Sequence, residues 1–165
     1  MNYFHWNVDR EIFHIYGPFA LRWYSLLFLS GILLGHYIVH KMARAEGKPA
    51  EKLEDLLFYL VIGTIVGARL GHCLFYSPSY YFSNPIEILK VWEGGLASHG
   101  GFLGVILSML YFSRKNSEFP MWWVLDRVSL ASIMGGGFIR LGNLFNSEIV
   151  GKTTNVSWAF VFEKH

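Results

Sequence analysis

The run FALRWYSLLFLSGILLGHYIV, residues 19–39, carries a single charge, Arg22. At a rise of about 1.5 Å per residue, an α-helix needs roughly 20 residues to cross a hydrocarbon layer about 30 Å thick. This run has that length. A helix buried in a soluble bundle keeps one polar face, and Ile32, Leu33 and Leu34 in succession leave none. The run therefore reads as a membrane span. Three more come after it: Leu56–Tyr76 with only Arg69, Leu96–Phe112 with no charge, and Met121–Phe145 with Asp126, Arg127 and Arg140. The chain is expected to be an all-α, polytopic membrane protein with about four transmembrane helices.

Composition agrees. The 165 residues are 53% apolar and 16% charged, with 18% aromatic residues and a mean hydropathy of +0.32. Soluble domains run nearer to about 25% charged. So apolar a chain does not stay disordered. Its net charge of +2, without a basic stripe, argues against nucleic acid as a partner. Cys73 stands alone, which excludes a disulfide within the chain.

Lysine and arginine in the connections set the expected orientation. The loop after the first span holds Lys41, Arg44, Lys48 and Lys52, and the loop after the third holds Arg114 and Lys115. The N-terminal segment offers Arg10 and the second loop only Lys90. The first and third loops are thus expected inside, with the N-terminus outside. The reading divides the chain into an outer interfacial segment 1–18, a membrane helical domain 19–147, and an outer segment 148–165 that begins a further C-terminal region. Tyr3, Phe4, Trp6, Tyr16, Trp23, Tyr80, Tyr81, Trp92, Trp122 and Trp123 flank the spans as interfacial anchors do. The first 15 residues lack the basic and apolar regions of a cleavable signal peptide. Ala45–Glu51, with its Gly-Lys-Pro, reads as a turn.

Glycines recur at four-residue spacing: Gly63, Gly67 and Gly71 in the second span, Gly100 and Gly104 in the third. In lipid, small residues let helices approach closely and associate by packing. Gly135, Gly136 and Gly137 extend the theme in the fourth.

Charges within hydrocarbon are functional candidates, because each costs about 2.5–3.5 kcal/mol at a helix centre on insertion scales. Arg140 and Asn143 share a helical face, with Gly136 and Gly137 one turn earlier on that side. Asn146 and Glu148 lie just beyond. A planar guanidinium suits a bidentate anion such as phosphate, and equally pairs with a carboxylate such as Glu148 or with a helix C-terminus. Arg69 needs a partner or a polar cavity. His99, among Gly94, Gly95, Gly100 and Gly101, is either structural or a group that exchanges protons near neutral pH. Tyr24 is either a belt aromatic or a phenol at the same depth. His36 and His40 have metal-ligand spacing on a helix but lack a third ligand in sequence, so no metal is expected.

Four stretches, in order, resemble the prolipoprotein diacylglyceryl transferase family. These are Trp23-Tyr24, Gly67-Ala-Arg69-Leu-Gly71, Trp92-Glu-Gly-Gly-Leu-Ala-Ser-His99-Gly-Gly-Phe-Leu-Gly-Val-Ile, and Arg140-Leu-Gly-Asn143-Leu-Phe-Asn146-Ser-Glu148-Ile-Val-Gly151. The resemblance implies a multi-pass enzyme of the bacterial inner membrane. Such an enzyme moves the diacylglyceryl group of phosphatidylglycerol to the lipobox cysteine thiol of a prolipoprotein signal peptide, releases glycerol phosphate, and uses no cofactor. It further implies catalytic roles for His99, which would help deprotonate the thiol or bind the headgroup, for Arg140 and for Tyr24, and substrate binding by Asn143, Asn146, Glu148, Gly100, Gly101, Gly151 and Arg69. For Arg69 a second phosphate contact and a structural charge stay open. Three positions depart from the family pattern. Ser147 and Ile139 stand where Gly is usual, adding side chains beside the site, and Val150 replaces a frequent Trp. The family's chains also continue past this point, so residues 1–165 are expected to be its N-terminal portion. The rival reading is a non-catalytic channel, transporter subunit or scaffold whose arginines line an anion path or pair structurally.

Overall fold

The structure, a computed structural model, describes residues 3–16 and 19–164. In chain order these form strands β1 (Phe4–Trp6), β2 (Glu11–Tyr16) and β3 (Phe19–Arg22), helices α1 (Trp23–Ala45), α2 (Leu53–Phe75), α3 (Pro78–Ser83), α4 (Ser98–Lys115) and α5 (Met121–Asn146), and strand β4 (Phe160–Phe162). Three helical stretches are long and apolar enough to cross a membrane: Trp23–Ala45, Ala50–Phe75 and Met121–Asn146. The chain is a predominantly helical, multi-pass membrane protein. Helix α4, expected as a fourth span, is not among the three. Its 18 residues begin at Ser98-His99 and end at Arg114-Lys115, and these polar ends dilute its apolar middle.

The first span also differs from its expected bounds. Residues 19–22 are strand, because β3 pairs antiparallel with β2, Glu11 opposite Arg22 and His14 opposite Ala20. The helix therefore starts at Trp23 and runs six residues beyond Val39, through the polar His40-Lys41. It stops where Gly47 turns left-handed (φ 68°) and Pro49 comes next but one, since proline can neither donate to nor continue the helical ladder.

The chain divides into two compact units. One joins Met1–Ile38 to Ser129–His165, and the other is Val39–Val128. In the first, β1 lies parallel to β4 with Phe4 opposite Phe160 and Trp6 opposite Phe162. Arg10 Nη2 donates to Lys164 O at 2.9 Å, and Lys164 pairs with Asp9. The two end segments, read from sequence as separate pieces, are thus stitched to each other. Within the same unit α1 meets α5 through small residues. A Cβ at Gly31 would fall 3.2 Å from Gly135 Cα, and one at Gly35 would fall 3.0 Å from Ala131 Cβ.

The second unit is built on α2 and α4, which touch backbone to backbone. A Cβ at Gly67 would lie 3.0 Å from Gly104 Cα, and one at Gly71 would lie 2.8 Å from Gly100 Cα. Side chains cannot be added there without parting the helices. Ser108 Oγ bridges the contact, within 2.7 Å of Tyr59 O and 2.8 Å of Gly104 O. At one end of this unit Leu53, Met109, Phe112, Phe119 and Val124 are fully buried. The outward face of α2, by contrast, exposes Phe58, Val61, Ile62, Ile65, Val66, Leu70 and Leu74. Apolar side chains out and glycines in is the arrangement of a helix whose solvent is lipid.

Candidate functional site

Each unit carries one cluster of candidate residues. In the first, the last turns of α5 hold Arg140, Asn143 and Asn146. The end of that helix is anchored by aromatic packing: Trp23 stacks on Phe145 at 5.0 Å and Trp6 meets the same ring edge-on at 5.6 Å. Arg140 is exposed and, among the described residues, makes no hydrogen bond or ion pair. Asn143 is only 7% exposed; its carbonyl accepts from Glu148 N at 2.9 Å, while its side chain has no hydrogen-bond partner among the described residues. Asn146 Nδ2 reaches Glu148 Oε1 at 3.5 Å, and its Oδ1 is buried without a partner among those residues. Glu148 is therefore turned toward Asn146 and not toward Arg140. Gly136 and Gly137 border open space, since a Cβ on either would meet nothing within 4 Å.

Tyr24 joins this cluster. Its ring lies directly over Gly142: a Cβ at Gly142 would fall 2.7 Å from Tyr24 Cδ2. The glycine between Arg140 and Asn143 is thus a seat for an aromatic ring from α1. Sequence alone reads Tyr24 equally as a belt aromatic.

The helix ends at Ser147, which takes φ 55° and is 2% exposed, its Oγ without a partner among the described residues. Helices commonly end on one left-handed residue, most often glycine, because a Cβ is strained there. That conformation accounts for the glycine the family pattern leads one to expect at this position. Ile149 (φ 54°) and Gly151 (φ 89°) continue the irregular path.

The second cluster surrounds His99, the second residue of α4. His99 is exposed, its ring edge-on to Phe75 at 5.1 Å and stacked on Tyr76 at 6.1 Å. Tyr76 also stacks on His72 at 5.2 Å, so one phenol ring lies against two imidazoles. Sequence reasoning misses His72 and Tyr76, although their i, i+4 spacing places them on one helical face. Gly100 and Gly101, expected at a ligand, are buried in the contact between α2 and α4, with Gly101 against Ala68 and Thr64. Packing requires glycine at 100, where a Cβ would fall 2.9 Å from Gly71 Cα, whereas a Cβ at Gly101 would make ordinary contacts at 3.5 Å and beyond.

Arg69, open in sequence between a second phosphate contact and a structural charge, has the environment of a structural charge. It is 4% exposed, and its guanidinium is taken up by backbone carbonyls. Nε donates to Ile88 O at 3.0 Å, Nη1 to Gly94 O at 2.5 Å and Gly95 O at 3.2 Å, and Nη2 to Glu87 O at 2.5 Å. The Tyr81 ring covers it at 5.2 Å. Arg69 and Arg140 therefore have opposite environments: Arg69 is enclosed and satisfied, Arg140 is open. Among the described residues no three His, Cys, Asp or Glu side chains gather where they could hold a metal ion.

Comparison with known proteins bears on what these clusters do. Residues 10–165 match the family model described as prolipoprotein diacylglyceryl transferase. Curated relatives named phosphatidylglycerol–prolipoprotein diacylglyceryl transferase include those of Chloroherpeton thalassium (48% identical, covering 99% of this chain and 60% of the relative), Tolumonas auensis (50%, 96% and 61%) and Porphyromonas gingivalis (46%, 95% and 56%). The chain thus spans about three-fifths of the length of the relatives it matches.

Proposed function

The chain belongs to the prolipoprotein diacylglyceryl transferase family, and on that premise we propose that it forms the N-terminal part of an enzyme that lipidates prolipoproteins. The substrates are phosphatidylglycerol and the lipobox cysteine of a prolipoprotein signal peptide, and the membrane is the bacterial inner membrane with the N-terminus outside. In the reaction a C–S bond forms between the cysteine sulfur and a glycerol carbon of the diacylglyceryl group. The C–O bond from that carbon to the phosphate breaks, glycerol phosphate leaves, and the thiol proton passes to a base. No cofactor takes part.

The observation that carries this reading is Arg140: a guanidinium in a 26-residue apolar helix, exposed and without a partner among the described residues. A permanent cation in hydrocarbon calls for an anion, and its planar fork matches two phosphate oxygens. Phosphatidylglycerol supplies them, with charge that grows as the C–O bond breaks and that fixed donors stabilise. Asn143 and Asn146 add amide groups beside the lipid phosphate, Glu148 orients Asn146, and Tyr24 closes the site from α1. Gly151 lets the chain turn beyond it. His99 takes the thiol proton, since a thiol of pKa near 8.5 needs help to become thiolate at neutral pH.

Arg140→Lys tests the reading. Lysine keeps the charge and loses the fork, so transfer to a lipobox peptide, followed by mass, should fall by ~10²-fold, the scale of losing one transition-state donor. A wild-type rate would refute the bidentate role. A chain that never adds a diacylglyceryl mass, yet passes anions across vesicles, would favour the channel reading.

A further inference from the structure

We propose that Arg69 is a positioning residue, whose guanidinium holds the connection between α2 and α4 so that His99 is presented in one place. The proposal rests on the transferase reading only in giving His99 a part in the reaction.

The connection is a difficult one to hold. Between Ser83 and Ser98 the chain makes only two short 3₁₀ turns, Pro85–Leu89 and Val91–Glu93, and such turns leave carbonyls at their ends without intrahelical partners. Glu87 O, Ile88 O, Gly94 O and Gly95 O lie in and beside these turns, and Arg69 takes all four. Its donors are arranged in a rigid planar fork. A lysine ammonium, with three donors on one atom, cannot give a bond to each of four carbonyls. The preceding residue along the helix repeats the anchoring, since Ala68 O accepts from Ala97 N at 2.9 Å.

Gly95 shows how closely the fit is set. It adopts φ 69°, and a Cβ there would fall 2.8 Å from both Arg69 Nη1 and His72 Nε2. Glycine is required by the conformation and again by the space. From Gly95 only Leu96 and Ala97 intervene before α4 begins at Ser98 and His99.

The His99 side chain has no hydrogen bond among the described residues. Its placement comes from the backbone that delivers it and from the rings around it, and both lead back to Arg69. Tyr81 lies over the guanidinium and meets His72 edge-on at 6.1 Å; His72 stacks on Tyr76, and Tyr76 on His99. A charge with no carboxylate partner among the described residues is thus retained in the helix where it meets four carbonyls, of which Glu87 O also accepts from Lys90 N at 3.2 Å. The neighbouring carboxylate, Glu87, is engaged by Lys90 at 2.5 Å.

The test uses Arg69→Gln, Arg69→Lys and Gly95→Ala in the full-length chain in phosphatidylglycerol nanodiscs. Three readouts are taken: amide exchange, site-resolved carbethoxylation of His99, and transfer kinetics. All three variants should exchange amides 87–97 at least ~10-fold faster, as a local opening, with the middle of α2 and α4 unchanged. His99 carbethoxylation should change by about 3-fold or more, and kcat should fall by ~10–100-fold with KM for phosphatidylglycerol within about twofold, as expected for a misplaced group. Native exchange in 87–97, or a native His99 rate in Arg69→Gln, would overturn the proposal. So would a raised KM with native kcat, which would make Arg69 a lipid contact. Should Arg69→Gln fail to fold, Gly95→Ala disturbs the same contact with the charge kept, and its native behaviour is equally fatal. If the wild-type chain transfers no diacylglyceryl group, the functional reading fails, while exchange and carbethoxylation still decide whether Arg69 places His99.

Discussion

Gly142→Ala isolates the seat of Tyr24, and its cost can be worked from the geometry. The added Cβ would fall 2.7 Å from Tyr24 Cδ2 and 3.3 Å from Cγ and Cε2. Carbon atoms rest at about 3.5–4.0 Å, so the ring must retreat by roughly 1 Å. Its neighbour Phe28 stacks on it at 6.4 Å and moves with it or loses the contact. Overpacking of this kind costs about 1–3 kcal/mol. Against it stands the gain of replacing glycine within a helix, roughly 1 kcal/mol. The net expectation for Gly142→Ala is a loss of about 1 kcal/mol. In a Tyr24→Ala background the clash is gone and the propensity gain remains, so the same substitution should stabilise by about 1 kcal/mol. The double-mutant cycle therefore predicts a coupling of about 2 kcal/mol, read from denaturation of purified protein in detergent micelles. Transfer activity should fall with Gly142→Ala more than stability does, because the phenol moves relative to Arg140 and Asn143 on α5. A coupling below about 0.5 kcal/mol, the level of unconnected sites, would refute the contact and with it the place of Tyr24 in the site.

Two further outcomes rest on local geometry. Ser147→Gly should stabilise by about 1 kcal/mol, since relief of the left-handed Cβ strain and of the unpartnered Oγ outweighs the added freedom of the unfolded chain; a destabilised variant would show that the hydroxyl has a partner in the folded protein. The turn after α1 should open in acid. Hydrogen bonds from Trp123 and Arg127 hold the Glu46 carboxyl below its ordinary range, and one from Lys52 does the same for Glu118. A depressed carboxylate contributes stability above its unfolded pKa and loses it as pH falls through the folded one. The protection of amides in 46–52, taken relative to their intrinsic exchange at each pH, should therefore be flat above about pH 5 and fall below about pH 4, with Glu46→Gln poorly protected at every pH.

The apolar runs made most of the helices legible, because crossing hydrocarbon is a demand on composition and length that any contiguous segment reports. Leu56–Tyr76 and Met121–Phe145 correspond within a few residues to α2 and α5. The edges were less legible. Residues 19–22 join α1 with Arg22 as the one charge in the run, and pairing with residues 11–16 makes them strand. Nor does a hydropathy profile contain the pairing of Phe4–Trp6 with Phe160–Phe162, whose partners lie at opposite ends of the chain.

The candidate site divides in the same way. Arg140, Asn143 and His99 were visible as costly or proton-active groups at informative spacings, with Tyr24, Asn146 and Glu148 beside them, and the resemblance carried by the surrounding motifs implied their roles. What the motifs could not separate was a glycine beside a ligand from a glycine beside a helix, and Gly100 is held against the backbone of α2. The left-handed turn at Ser147 was equally hidden, since serine gives no sign of its φ angle.

Residues in order, taken alone, determined that this chain lives in lipid, which runs are apolar enough to cross it, and that two arginines lie where charge is expensive. The tertiary structure decided how each arginine is met. The cost of a buried charge depends on which partners fold back to it, and those partners are backbone carbonyls that every sequence possesses and none advertises. A connection 18 to 26 residues beyond Arg69 brings four of them to it. Arg140 meets none among the described residues, and so remains open to an anion from outside the chain.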